Sequence, residues 1–94
     1  MATYFLLGRY SQDSIKQISS TRTKNVSETI EKLGGKVKAI YALLGKNDVA
    51  LIVDLPSVKE VIKASLSLAK SLGIAFTSSE AISIEEFDKL AKDI

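Results

Sequence analysis

Apolar residues follow two rhythms along this chain, one of strands and one of helices. Residues 3–10 (TYFLLGRY) form an aromatic and aliphatic run that stops at a polar Ser-Gln-Asp-Ser cluster, the pattern of a strand that feeds a helix. From residue 11 to 33, Ile15, Ile18, Val26, Ile30 and Leu33 keep helical spacing, while residues 19–23 (SSTRT) interrupt it. One helical region with an irregular middle is predicted, ended by Gly34 and Gly35. Residues 36–44 (KVKAIYALL) and 48–55 (DVALIVDL) are two β-prone runs joined by Gly45-Lys46-Asn47-Asp48, which predicts a hairpin. Pro56 stops the second strand, and Ser57 with Glu60 reads as a capping box. The helix that follows carries Val58, Val61, Ile62, Leu68 and Leu72 at three-and-four spacing and closes at Gly73. Residues 74–84 predict a fourth strand, and Ser83 with Glu86 a second capping box. The last helix presents Phe87, Leu90, Ala91 and Ile94 on one side.

The predicted order is strand, helix, strand, strand, helix, strand, then a C-terminal helix. Two right-handed split crossovers of this kind give an α+β, ferredoxin-like βαββαβ domain over residues 1–94, with a four-stranded antiparallel sheet in the order 4-1-3-2 and both long helices on one face. A sheet covered on one side and wet on the other should alternate apolar and polar residues. Here both faces are apolar. In the hairpin, Ile40, Ala42, Leu44, Val49, Leu51 and Val53 belong to one face, and Val37, Ala39, Tyr41, Leu43, Ala50 and Ile52 to the other. Strand one adds Phe5 and Leu7 to one side and Tyr4 and Leu6 to the other. So short a chain has helix enough for one face, so the second is expected to pack on a second copy, sheet against sheet, as a homodimeric barrel. A monomer whose C-terminal helix folds over that face is the alternative.

Several quoted segments resemble the GYD-domain family: Thr3-Tyr4 through Gly8-Arg9-Tyr10-Ser11, the junction Leu33-Gly34-Gly35-Lys36-Val37-Lys38-Ala39, and the hairpin Leu44-Gly45-Lys46-Asn47-Asp48-Val49. The likeness extends to Pro56 and to Glu85-Glu86-Phe87. It implies a small protein similar to the dimeric α+β barrels, with no established activity. Gly45 and Asp48 match the family signature, but Asn47 stands where its naming tyrosine would be.

Composition narrows the chemistry. The 94 residues hold no Cys and no His, which excludes disulfides, structural zinc of the usual kind and a His-based triad. No cofactor or metal is expected, no membrane span and no signal peptide is visible, and a cytoplasmic location is expected. The net charge is +2, yet residues 80–94 carry five acids against two lysines, so the charge is lopsided toward an acidic end. The lysines are spread over polar helix positions and the third strand lacks a basic-aromatic run, so nucleic acid is not an expected partner.

Antiparallel pairing brings Arg9, Tyr10, Lys46 and Asp48 to one edge of the sheet, where a small anionic ligand would meet a guanidinium and a helix start. The competing reading is an Arg9–Asp48 ion pair that only fixes the turn. Tyr4, Tyr10 and Tyr41 are either packing residues or phenols facing a lumen. Gly8 is read as room for a ligand, room for a partner chain, or a bulge. The candidate ligand residues are Arg9, Tyr10, Tyr41, Lys46 and Asp48, small anionic or aromatic molecules being the ligand class. No catalytic residue is assigned. The leading function is a homodimeric small-ligand-binding or regulatory module, the alternative a cofactor-independent barrel enzyme acting on a small aromatic or carbonyl substrate.

Overall fold

The computed structural model describes residues 1–16 and 19–94. Its elements are β1 (Ala2–Tyr10), α1 (Gln12–Lys16), α2 (Ser20–Lys32), β2 (Lys36–Ala42), β3 (Val49–Leu55), α3 (Val58–Leu72), β4 (Ile74–Ala81) and α4 (Ile84–Lys92). The strands pair antiparallel in the order β2-β3-β1-β4, which is the expected ferredoxin-like order read from the opposite edge.

Alternation along β1 puts Tyr4 and Leu6 beneath the helices, and cross-strand register extends that face, with Tyr4 opposite Val53 and Leu6 opposite Leu51. Val26 and Ile30 from α2 and Val61, Ala64 and Leu68 from α3 close the core. Full burial of a side chain such as Leu6, Val53 or Leu68 contributes about 1.5–3 kcal/mol each. Gly73 ends α3 in the left-handed region at φ 67°, which an L side chain adopts only at a cost.

Several expectations are corrected. Residues 20–23 are the first turn of α2 rather than an irregular stretch, because the Ser19 side chain accepts from the Arg22 N–H and starts the helix there. Ile18, placed by spacing on the apolar stripe, lies outside the described residues. Val37 faces the core opposite Val53, since a bulge between Val37 and Ala39 shifts the phase of β2. Leu44 does not sit opposite Val49: pairing ends at Ala42–Val49, the Leu43 N–H bonds the Asp48 carbonyl, and Leu44 is fully exposed in a wider loop. β4 ends at Ala81, opposite Thr3 of β1, and Ser83 then caps α4 by accepting from the Glu86 N–H at 3.1 Å. At α3, Ser57 makes no cap to the backbone and instead donates its hydroxyl to the Glu60 carboxylate.

The face away from α2 and α3 stays open. It carries Phe5, Leu7, Ile52 and Tyr41 over β1, β3 and β2, and the small residues Ala75, Thr77 and Ser79 on β4. α4 does not fold back over it, since none of its residues is buried. Among the described residues no helix is long and apolar enough to cross a membrane, and no group of three or more potential metal ligands occurs.

Candidate functional site

Asp48 is the best-connected of the five candidate ligand residues. Its carboxylate accepts from the Tyr10 N–H at 2.9 Å, and its own N–H donates to the Gly8 carbonyl at 2.8 Å. These bonds carry the β1–β3 ladder one step beyond the Gly8–Val49 pair, satisfying the end of β1 where backbone pairing stops. An Arg9–Asp48 ion pair does not form; among the described residues the ion pair is Lys38–Asp54 at 3.7 Å, on the open face.

The sheet itself divides the remaining candidates. Arg9 is exposed and pairs in register with Ala75, which places it on the open face. Tyr41, opposite Ala50, lies on the same face and is 57% exposed. Tyr10, one residue from Arg9, points to the helix side, and Lys46 stands exposed in the hairpin loop. A residue step along a strand reverses the face, so two neighbours named together as a pocket mouth end on opposite sides of the sheet.

Tyr10 belongs to a cluster that spacing did not reveal. The Arg22 guanidinium lies over its ring, 5.6 Å from the centroid, and donates to the Ser14 carbonyl, to the Ser14 hydroxyl at 2.6 Å and to the Leu72 carbonyl at 2.8 Å. Ser14 is buried and its hydroxyl donates to the same Leu72 carbonyl at 2.6 Å. The last turn of α3 leaves carbonyls without helical partners, and Arg22 and Ser14 fill that need while tying α1 and α2 to α3. The one sequence signal was a single Arg in a hydroxyl-rich helix start. Beside this cluster, Tyr10, Arg22, Val26, Ile40 and Phe76 line a cavity of about 50 Å³. That is far below the roughly 300–1,000 Å³ of small-molecule sites, so it holds little more than water.

Gly8 makes no room for a ligand. It faces the helix side, where an added Cβ would come within 2.7 Å of Phe76 and 2.8 Å of Ile74. Tyr4, in turn, is a core residue and not a lumen residue. Its ring is buried, and its phenol is pushed up from its usual range first by that burial and then by the carboxylates of Glu80 and Glu60. On the open face, Thr3 donates its hydroxyl to Asp54 at 2.7 Å. That bond, with Lys38 and Lys36 nearby, holds the Asp54 carboxyl below its usual range against the opposing effect of desolvation. The open face thus offers an apolar centre, a Thr3–Asp54–Lys38 rim and the cation of Arg9 at one end.

Residues 4–91 match the family described as GYD domain. Among solved structures, the chain is similar to one described as a transcriptional regulator, with a TM-score of 0.67, 13% identity and 88% of this chain covered. It is also similar to the Mycobacterium tuberculosis leucine response regulatory protein LrpA, with a TM-score of 0.57, 10% identity and 87% covered. In both cases the chain spans about half (51%) of the other protein, and at such identity the likeness is one of fold. Among curated proteins, none matches its sequence.

Proposed function

The chain belongs to the GYD-domain family, and from that premise we propose that it is a homodimeric small-ligand-binding, regulatory module in which two copies stack open face on open face as an α+β barrel. The observation that carries this reading is the apolar centre of the open face: Phe5, Tyr41 and Leu43 are 39%, 57% and 40% exposed, Ile52 and Leu7 half-buried, and no element among the described residues covers them. Apolar residues grouped on one surface and rimmed by polar ones mark an association site. The fold shared with two regulators supports the regulatory half of the reading.

In such a dimer the two halves of the open face do different work. The β1–β3–β2 half supplies bulk, while Ala75, Thr77 and Ser79 on β4 leave space between the stacked sheets. Arg9, in register with Ala75, reaches that space with a planar guanidinium suited to a carboxylate or phosphate. Tyr41 supplies an apolar ring from the far edge, and Lys46 a further cation from the loop. The Tyr10 ring acts on the other side of the sheet, and Asp48 anchors the strand end through the Tyr10 N–H.

Sedimentation at micromolar protein and high salt tests the dimer. The expected unit is twice 10.2 kDa, and Ile52→Lys, which sets a charge in the centre of the face, should release single copies with unchanged circular dichroism. A wild type that sediments as one folded copy overturns the reading.

A further inference from the structure

Two helices carry apolar stripes that the chain leaves uncovered, and their surroundings are opposite in charge. On α3, Val61, Ala64 and Leu68 enter the core, while Val58, Ile62 and Leu66 form a second stripe, each more than half exposed. At about 100° per residue, Lys59, Lys63 and Lys70 fall along the outer flank of that second stripe. On α4, Ile84, Phe87 and Leu90 line one side, all more than half exposed, and the exposed Ile94 follows just past the helix end. The same angular count puts Glu86 and Asp93 on one flank of it and Asp88 on the other, with Lys89 and Lys92 on the back. The stripes are of comparable length, since the eight residue steps from Val58 to Leu66 and the six from Ile84 to Leu90 rise about 12 Å and 9 Å.

Between α3 and β4 the α3 stripe borders a groove of about 310 Å³, walled by Ile62, Leu66, Ser78 and Glu80 with the edge of Tyr4 at its floor. That is room for large side chains from a docking helix. α4 of the same chain is on the wrong side to fill it. Its first turn, through Ser83 and Glu86, shares a concavity with Phe5 and Lys38, which belong to the open face, whereas α3 lies on the other face. Only Ile82 and Ser83 separate β4 from α4, about 7 Å of extended chain, so the helix stays on the open side.

We propose that α4 of one copy docks along the outer stripe of α3 in another copy, its acid-flanked apolar side against the stripe whose outer flank carries Lys59, Lys63 and Lys70 and clear of the Glu80 wall of the groove, and thereby joins open-face dimers into larger assemblies. The proposal rests on the open-face dimer as the repeating unit but uses a separate surface. Buried apolar side chains supply the affinity, and the flanking charges select the partner and make assembly salt-sensitive. Because donor helix and acceptor groove are different patches, the contact is heterologous and extends beyond two copies.

Analytical ultracentrifugation of the full chain over a range of concentration and salt tests it. The wild type should sediment at a multiple of twice 10.2 kDa at low salt and fall toward the dimer at high salt. Leu90→Glu and Ile62→Glu should each leave the dimer alone, with circular dichroism unchanged because both side chains are exposed. Lys59→Glu with Lys63→Glu should likewise stop at the dimer, and adding Glu86→Lys and Asp88→Lys should restore the larger species. A wild type that never exceeds two copies, or a Leu90→Glu chain of wild-type mass, overturns α4 docking and leaves the open-face dimer standing. A low-salt mass that falls with Leu90→Glu, together with a high-salt species that Ile52→Lys leaves unchanged, keeps α4 docking and overturns the open-face dimer instead.

Discussion

The two faces of this sheet are built from much the same residues and have different fates. On the covered side Leu6, Leu51 and Val53 are fully buried beneath α2 and α3, while on the other side Phe5, Ile52 and Tyr41 keep access to water. Hydrophobicity therefore does not tell a stabilising position from an association position here; what lies above it does. On one face an apolar side chain holds the monomer together, and on the other it is left for the partner copy of the proposed dimer.

The comparison is broken most severely by truncating the covered face. Leu6→Ala should cost about 2–5 kcal/mol in urea unfolding, since the fully buried site must be left as a cavity between sheet and helices. Leu7→Ala, one residue on but on the open face, should cost far less stability and act on the assembled mass. Equal losses at the two positions would erase the distinction between faces.

Gly8→Ala probes the covered face by overfilling it. The new methyl would meet Phe76 and Ile74 within 2.7–2.9 Å, and a loss of about 1–3 kcal/mol is expected, readable as a lower melting temperature. Unchanged melting would mean that Phe76 moves aside freely and that the β1–β4 contact is loosely packed.

A smaller, pH-dependent difference separates the faces through Tyr4 and Asp54. The Tyr4 phenol, raised by burial, binds its proton more tightly folded than unfolded, so its contribution is present below the ordinary phenol range and fades as pH climbs through the raised value. The Asp54 carboxyl, lowered chiefly by Thr3, behaves in the opposite sense: its contribution is present above the ordinary carboxylate range and is lost as pH falls through the lowered value. Tyr4→Phe should flatten the alkaline limb of a stability profile and Asp54→Asn the acid limb. A profile whose limbs ignore both substitutions would contradict these environments.

The least perturbing change is Arg9→Gln. Exposed and free of Asp48, Arg9 should add little to unliganded stability, at most the ~0–1 kcal/mol of a surface charge. If Arg9 holds the ligand, a thermal-shift screen of small carboxylates and phosphates should find a wild-type increase that Arg9→Gln removes. A shift that survives in the variant moves the anion site away from Arg9.

Local rules made the order of elements, the sheet order and the two-sided hydrophobicity legible from the sequence. Strand alternation, helix spacing and the Ser83 cap depend on residues within a few positions of each other, so they survive in the sequence as patterns. The candidate site was less legible. Arg9, Tyr10 and Asp48 were rightly brought to one sheet end, but their chemistry depends on which way each points. The Asp48 carboxylate turns to the Tyr10 N–H, and Arg22, thirteen residues past Arg9, takes the place beside the Tyr10 ring. The bulge that turns Val37 into the core depends on the pairing register with β3, and the Ser14–Arg22–Leu72 tie depends on three helix ends meeting. α4 shows the division most plainly. Its amphipathic pattern is written in the sequence, but only the path of the chain past Ala81 decides that the stripe emerges beside the open face, out of reach of its own α3. Periodicity determines that a surface must be buried, and the long-range arrangement of the chain determines against what.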